Sequence, residues 1–274
     1  MQWLGICFFL LCSTNLVAFS TNETSFFSID ESNFEENKIL VQKNLSSVSR
    51  STQAGEIVDF GSYYPIESGY YYLFNMEAWR SGFYAFNYAP ELTLFFARLQ
   101  KGFHINTAVE TGTFFGGTTA AFSYLFDEIH TIEIQESTFL ESKQRLKEFP
   151  NVHCYLGSSE QVLSQLLPSL DDKRVLFYLD AHWQSYWPLL QEIEEISKTH
   201  RDNCIIVIDD FKVPGRADIP YDAYGVHECS LEYIQSQLNK AFSSYLVYYL
   251  IPKNKISRAK AVIIPKKWMQ PQIN

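Results

Sequence analysis

The stretch AVETGTFFGGTTAAF, from Ala108 to Phe122, decides the fold. A short apolar segment ends near an acid, Glu110, and a turn with three glycines separates it from a segment of helical character. Open α/β sheets bind ligands at such a turn from a strand into a helix, because glycine lets the backbone approach a ligand closely. The spacing G-x-x-x-G-G differs from the G-x-G-x-x-G of dinucleotide-binding turns, and no P-loop lysine follows it.

Strand-like and helix-like segments alternate around this turn. From Pro90 onward, five strand–helix units are followed by SYLVYYLIP and AKAVIIP, which lie on either side of a short polar turn and indicate an antiparallel hairpin. The pattern predicts an α/β fold: a Rossmann-like, doubly wound, mostly parallel sheet that ends in an antiparallel hairpin. Within it, we expect Ser137 to cap the helix STFLESKQRLKEF.

The chain divides into four regions. Residues 1–20 are predicted to be a signal peptide, because an apolar run precedes a small-x-small pattern at Ala18–Ser20; the alternative is an uncleaved anchor. Residues 21–54 are polar and predict a flexible extension, whereas residues 55–89 are rich in aromatics and predict a cap packed on the α/β domain of residues 90–274. The protein is therefore expected to be exported, or membrane-anchored if the leader is retained. With a cleaved leader, we expect no stable membrane insertion.

Composition excludes some partners. The formal net charge is -9, and no basic stripe is present, so we expect no nucleic-acid surface. Cys154, Cys204 and Cys229 form an odd set without metal-type spacing, so a disulfide framework is not expected.

A second acid, Glu133, ends the next strand-like segment, EIHTIEI. An acid about 20 residues past a glycine turn commonly accepts hydrogen bonds from two ribose hydroxyls. Because the phosphate-binding signatures are missing from the turn, the pattern predicts a nucleoside ligand without phosphates.

These residues resemble the class I S-adenosylmethionine-dependent methyltransferases, over roughly Pro90 to Lys267. The resemblance implies that VETGTFFGG wraps the methionine end and ribose of S-adenosylmethionine, and that LGSSE, after the third strand, lies beside the adenine. Ser158 stands where the family commonly has an aspartate. The cofactor-binding residues that the resemblance implies are Glu110, Gly112, Thr113, Gly116, Gly117, Glu133, Ile134, Ser158, Ser159 and Asp180.

Acidic residues also follow the fourth and fifth strands. YLDAHW supplies Asp180 and His182, and IVIDDF supplies Asp209 and Asp210. The carboxyl ends of parallel strands meet at one edge, so three carboxylates converge and suit a hard cation such as Mg²⁺ or another divalent ion. This set is similar to the metal-dependent O-methyltransferase branch, which includes catechol and antibiotic-sugar enzymes, and the resemblance implies Asp180, Asp209 and Asp210 as metal ligands. The alternative for the pair is a turn-starting Asp beside a solvated one.

The predicted catalytic residues are His182 and Asp180. His182 is expected to take the acceptor proton as a general base; the alternatives are an orienting or a structural histidine. The loop from 212 to 228 follows the acidic pair and is expected to border the acceptor, with Arg216, Tyr221 and Tyr224 as candidate contacts. Trp183 and Trp187 are expected either to form an aromatic wall or, preferably, to pack beneath the next helix.

Residues 90–274 are thus interpreted as a methyltransferase-like domain. The expected function is S-adenosylmethionine-dependent O-methylation of a hydroxyl on a small molecule or glycan, assisted by a divalent metal. The main alternative is an exported, non-catalytic binding protein that keeps the fold, and a metal hydroxylase is a third reading. The sequence leaves open whether the protein forms a homo-oligomer.

Overall fold

The computed structural model describes residues 49–52, 55–59, 85–87, 89, 91–182, 185–252 and 258–269. The predicted leader and most of the predicted extension and cap lie outside these residues. Within them, every helix is too short or too polar to cross a membrane.

The described residues form strands and helices in the predicted alternation. The strands are β1 (Ser49–Thr52), β2 (Gly55–Asp59), β3 (Thr107–Thr111), β4 (Glu128–Glu133), β5 (Val152–Leu156), β6 (Val175–Leu179), β7 (Cys204–Ile208), β8 (Ala223–Tyr224), β9 (His227–Glu228), β10 (Tyr245–Ile251) and β11 (Lys260–Pro265). The helices are α1 (Glu91–Phe103), α2 (Gly117–Ser123), α3 (Glu136–Leu146), α4 (Ser159–Leu166), α5 (Leu189–Thr199) and α6 (Leu231–Ala241). Short 3₁₀ turns cover Ala85–Asn87, Leu167–Ser169 and Lys266–Met269.

Among the described residues, nine strands make one sheet in the order β1-β2-β10-β11-β7-β6-β3-β4-β5, and β8 pairs with β9 separately. Strands β2, β3 to β7 and β10 run in one direction, whereas β1 and β11 run in the opposite one. The hairpin of β10 and β11 is antiparallel, with Tyr245 opposite Pro265. The predicted fold class, a mostly parallel sheet that ends in an antiparallel hairpin, is confirmed.

Two strands appear where the sequence analysis expected none. Strand β1 lies in the predicted extension, and β2 lies at the start of the predicted cap. Strand β2 pairs in parallel with β10, with Glu56 opposite Tyr248, and β1 turns back onto β2. Segments of four and five residues carry too little periodicity to be recognised, and their pairing depends on the edge that the distant β10 offers.

Apolar side chains fill both faces of the sheet. On one face, α1, α2 and the turn at Ala85–Asn87 bring Phe86, Phe96 and Phe122 against Tyr178, with ring centroids 5.0 to 6.0 Å apart. On the other face, helices α4, α5 and α6 pack on β3, β6 and β7. Each such buried side chain contributes roughly 1.5–3 kcal/mol of hydrophobic stabilisation. Because apolar side chains cover both faces of the sheet, polar side chains that could bind a ligand are found at its edge, where the carboxyl ends of the strands lie.

Helix starts are only partly as expected. Ser230 caps α6, and its side chain accepts a hydrogen bond from the Tyr233 N–H at 3.4 Å. The prediction for Ser137 was wrong, because α3 begins at Glu136 and Ser137 lies inside its first turn. The Glu133 carboxylate accepts the Gln135 N–H at 2.9 Å, which fixes the chain just ahead of the helix and starts it earlier.

Candidate active site

The carboxyl ends of the central parallel strands form a continuous rim. Backbone hydrogen bonds continue the ladder past the strand ends. They run from Gly157 to Glu133, from Gly112 to Ile132, from Asp180 to Thr111 and from Asp209 to Leu179, at 2.9 to 3.0 Å. Each residue that follows a strand is therefore held in register with its neighbour, so the acids predicted at the strand ends share one edge.

The glycine turn passes very close to the end of β6. Gly112 has φ +83°, and a Cβ there would lie 2.5 Å from the carbonyl oxygen of Asp180. Gly116, with φ +81°, precedes α2, and a Cβ there would crowd Leu146 at 3.0 Å. Gly117 begins α2. Two of the three glycines are thus needed for chain packing, whatever ligand the turn also approaches.

The carboxylate of Glu110 is hydrogen-bonded to side chains of the protein itself. This buried carboxylate accepts hydrogen bonds from the hydroxyls of Thr119 and of Thr131, the latter at 2.6 Å. Thr131 also lies 2.6 Å from the hydroxyl of Thr113. Burial raises the pKa of Glu110 to about 7, although both threonine hydroxyls act to lower it. Glu110 and Thr113, both predicted to bind the cofactor, therefore belong to an internal polar network that joins β3, β4 and α2.

Glu133 holds the glycine turn in place. One carboxylate oxygen accepts the Phe114 N–H at 2.9 Å, and the other accepts the Gln135 N–H at 2.9 Å. A carboxylate has about four lone-pair positions, so each oxygen keeps capacity for a further donor. Ile134 and Phe114, next to this acid, expose 40% and 64% of their surface, which leaves two apolar groups uncovered at the rim.

Three ligand atoms converge beyond β6 and β7. Asp180, His182 and Asp210 each offer one, and these atoms lie within 4.8 Å of one another. Burial, and then the charges of Asp209 and Asp210, raise the pKa of Asp180 well above its usual range. Burial, and then Asp209, raise the pKa of Asp210 to about 6, and burial lowers the pKa of His182.

Asp209, expected beside Asp180 as a metal ligand, has other partners. Its Oδ1 lies 2.6 Å from Nζ of Lys260, and its Oδ2 accepts the hydroxyl of Tyr178 at 2.6 Å. Its Oδ1 also accepts the N–H of Asp210 at 2.7 Å, and Asp210 has a left-handed φ of 52°. Asp209 thus orients its neighbour and ties β6, β7 and β11 together at this edge.

A second cation, Arg258, joins the acidic pair to the loop beyond it. Its guanidinium donates to Oδ2 of Asp210 at 2.9 Å and also to Asp222. Asp222 in turn lies 3.9 Å from Nε2 of His182. Lys260 and Arg258 therefore offset part of the negative charge that the carboxylates gather.

Trp187 lines the same cleft, and two tyrosine rings pack against it. It stacks on Tyr233 of α6 with ring centroids 4.7 Å apart and planes 6° apart, whereas the preferred prediction was packing beneath the next helix, α5. Trp183 lies outside the described residues. Trp187 also contacts Tyr224 at 5.0 Å, and the Tyr224 ring lies 5.8 Å from that of His182. Tyr224 and Asp222 are thus two residues of the 212–228 loop that reach the predicted base.

Two serines follow β5 as predicted. Ser158 precedes α4 and Ser159 begins it, and neither buried hydroxyl oxygen makes a hydrogen bond of good geometry among the described residues, although Ser158 lies near Tyr186 and Ser159 near Glu192. Glu192, which the sequence analysis did not single out, lies beside Ser159 and lines the cleft together with Asp180. Its apolar helical surroundings, LLQEIEEI, were the only available signal, because only folding brings it to the rim.

The similarity of this chain to known proteins is one of fold only. No protein-family model matches the sequence, and no curated protein matches it either. The O-methyltransferase from Bacillus cereus in complex with SAH superposes with a TM-score of 0.50 at 13% identity, covering 71% of this chain and 89% of that one. The chain shares with it a Rossmann-like α/β fold. The O-methyltransferase TomG from Streptomyces achromogenes, in complex with SAM, gives a TM-score of 0.47 at 16% identity, covering 65% of this chain and 80% of that one.

Proposed function

We propose that the chain is an S-adenosylmethionine-dependent methyltransferase that methylates a hydroxyl of a small molecule or glycan with the help of a divalent cation. The observation that carries the proposal is the convergence of Asp180, His182 and Asp210 next to the glycine turn. The shared fold with an O-methyltransferase whose structure contains SAH supports the nucleoside part.

The rim has groups that suit a nucleoside thioether. Glu133 retains acceptor capacity for ribose hydroxyls, and the exposed Ile134 beside it offers an apolar surface for a base. The hydroxyls of Ser158 and Ser159, which make no hydrogen bond of good geometry, lie at the start of α4, where the adenine is expected. Buried hydroxyls without partners are uncommon in folded proteins, so they favour a polar ligand at this position.

The donor set suits a divalent cation. Oδ1 of Asp210 is buried and has no hydrogen-bond partner among the described residues, and Asp210 is one of the three converging residues. Two carboxylates and one imidazole accommodate Mg²⁺ or Mn²⁺, and the imidazole favours a transition metal more than an all-oxygen site would. We therefore place His182, rather than Asp209, with Asp180 and Asp210 as the metal ligands.

The charge balance points the same way. With every carboxylate ionised, four acids and two bases give this cluster a net charge of −2, which one divalent cation would neutralise. The acids are Asp180, Asp209, Asp210 and Asp222, and the bases are Arg258 and Lys260. When bound, a divalent cation lowers the pKa of an acceptor hydroxyl and fixes its orientation.

The chain's own residues supply the rest of the chemistry. Trp187, with Tyr224 packed against it, lines the cleft and would exclude water from the acceptor. Alignment of the acceptor oxygen with the methyl group lowers the barrier, and the positive charge of the sulfonium already activates the leaving group. In an ion-free protein His182 is placed to accept the acceptor proton; as a metal ligand it is not available as a base.

The second candidate is a binding protein that keeps the fold without the chemistry. The ion pairs of Lys260 with Asp209 and of Arg258 with Asp210 favour it, because they neutralise two carboxylates without a metal. The two functions differ in whether a cation and a nucleoside thioether bind.

Calorimetry on the full chain tests the proposal. S-adenosylhomocysteine is titrated with and without Mg²⁺ or Mn²⁺, and Mn²⁺ binding is followed separately by electron paramagnetic resonance. We expect the nucleoside to bind, and we expect Asp210→Asn to weaken Mn²⁺ binding at least about tenfold. Asp218→Asn, on an exposed Asp paired with Arg216, is the control. Absence of both nucleoside and metal binding would favour the binding protein.

A further inference from the structure

Glu192 is a buried acid that the proposed chemistry does not use. It lies in the first turn of α5, and only 1% of its surface is exposed. Neither carboxylate oxygen has a hydrogen-bond partner among the described residues. A buried carboxyl group without a partner costs free energy, and folded proteins rarely retain one without a ligand or a water to satisfy it.

The surroundings of Glu192 are polar and equally unsatisfied. The hydroxyls of Thr111 and Ser159 lie near its carboxyl group and lower its pKa, but neither makes a hydrogen bond of good geometry. Burial is the larger effect and raises that pKa to about 7. Three strand or helix ends thus bring unpartnered groups together: the end of β3, the start of α4 and the start of α5.

This group faces the candidate site. Glu192 lines the cleft with Asp180, Ala181 and Trp187, and Ser159 next to it follows the strand beside which the adenine is expected. Its neighbour Glu160 is already engaged, because it accepts the hydroxyl of Tyr186. Thr111, Ser159, Glu160 and Glu192 form this corner of the cleft, and among its described acids Glu192 is the one that keeps acceptor capacity for a further strong donor.

The donors and acceptors around Glu192 indicate which kind of ligand group would fit there. A carboxylate needs a donor, and the adjacent hydroxyls of Thr111 and Ser159 can donate as well as accept. An adenine edge presents an exocyclic amine next to ring nitrogens that accept, whereas an ammonium group offers donors only. The corner thus suits a base better than it suits the amino group of an amino acid.

We infer that Glu192 reads the base of the nucleoside, with its carboxyl group accepting a hydrogen bond from the exocyclic amine of adenine. The inference rests on the proposed function. Ser158 stands where the resembled family commonly has an aspartate, and Glu192 approaches the same corner from α5. The acid missing from the loop after β5 is then supplied by α5.

The test compares two nucleoside thioethers on the full chain. S-adenosylhomocysteine carries the amine, and S-inosylhomocysteine carries a carbonyl oxygen in its place. We expect the unaltered protein to bind the adenosyl compound at least about tenfold more tightly, since one matched polar contact to a base is worth about 1–3 kcal/mol of discrimination. Glu192→Gln should remove most of this preference, because the amide can donate to the carbonyl oxygen.

A neighbouring variant and a folding check make the test decisive. Glu160→Gln changes the other acid of the corner and should keep the preference. Circular dichroism and thermal melting establish that Glu192→Gln is folded, and Thr111→Val provides a second variant that should weaken adenosyl binding severalfold. If S-adenosylhomocysteine binds and Glu192→Gln keeps the original preference, the inference fails while the proposed function stands. If neither thioether binds the unaltered protein, both fail.

Discussion

Lys260 and Asp209 form an ion pair, 2.6 Å from Nζ to Oδ1, in which both side chains are buried from solvent. We expect Lys260→Met to lower the free energy of unfolding by about 3–5 kcal/mol, because the Asp209 charge would remain buried without its partner. Urea denaturation measures the change. Lys240→Met, which breaks the half-exposed pair with Glu194, should cost no more than about 1 kcal/mol. Equal effects of the two variants would contradict the role of the buried pair.

Gly112 and Gly215 have similar backbone angles in very different surroundings. Gly112 has φ +83° and no room for a Cβ beside the Asp180 carbonyl, whereas Gly215 has φ +71° and open space. We expect Gly215→Ala to destabilise by about 1–2 kcal/mol, from the left-handed backbone alone. Gly112→Ala should cost clearly more and should disturb ligand binding, because the turn and the end of β6 must separate. A thermal melt of both variants is sufficient, and indistinguishable shifts would count against the close approach.

Acid should destabilise the protein through His130. Burial lowers the pKa of His130 to about 4, below its ordinary value near 6.5, and the groups around it are Glu128, His153, Lys173 and Tyr155. The unfolded chain therefore binds more protons between these pH values, and stability falls as the pH drops from 6.5 toward 4, by up to about 3 kcal/mol.

His130→Leu should flatten this part of the stability profile. Urea denaturation at several pH values from 7 to 4 provides the measurement, and His227→Gln, on an exposed histidine, is the control. A variant that retained the full acid sensitivity of the parent would assign that sensitivity to other groups.

Glu110 should have the opposite effect. Burial raises its pKa to about 7 in the folded protein, above the ordinary value of 4.5, so the folded chain binds the extra proton. The stability that this proton contributes is present below pH 4.5 and is lost as the pH rises through 7, by about 3 kcal/mol. Glu110→Gln keeps an oxygen acceptor for Thr119 and Thr131, and should gain stability relative to the parent between pH 5 and 8.

Denaturation at pH 5 and pH 8 compares the parent with Glu110→Gln. The exposed Glu148, changed to Gln, should leave the difference between the two pH values unchanged. If the free energy of unfolding of Glu110→Gln depended on pH as that of the parent does, ionisation of the Glu110 carboxyl group would not destabilise the folded protein.

Much of the fold could be predicted from the sequence, because strands and helices leave local patterns of apolar residues. Strands β6 and β7 are short, continuous apolar runs between helices of clear periodicity, and each is buried throughout. Parallel strands place their carboxyl ends together, so acids that follow them in the sequence must share an edge. That topological rule correctly brought Asp180 and Asp210 together from positions 30 residues apart.

The ion-pair partners of those acids could not be predicted from the sequence, because these contacts depend on long-range packing. Lys260 lies 51 residues beyond Asp209, and its position within the apolar segment AKAVIIP was the only hint that it needed a buried partner. Arg258 and Asp222 meet only when the loop folds back. Nothing in the spacing of Glu192 distinguishes it from the other acids of α5, since only the ends of β3 and α4 make its site polar.

The pairing of β2 with β10 has a consequence for solubility. Strand β10 reads YLVYYLI, an apolar and aromatic run that would offer unpaired amides and carbonyls to other chains if it bordered the sheet. Strand β2 covers that border, and the outermost strand becomes the short, polar SRST of β1. The few residues ahead of Asp59 thus act as a shield against self-association during and after folding, and a chain without them would be prone to aggregate.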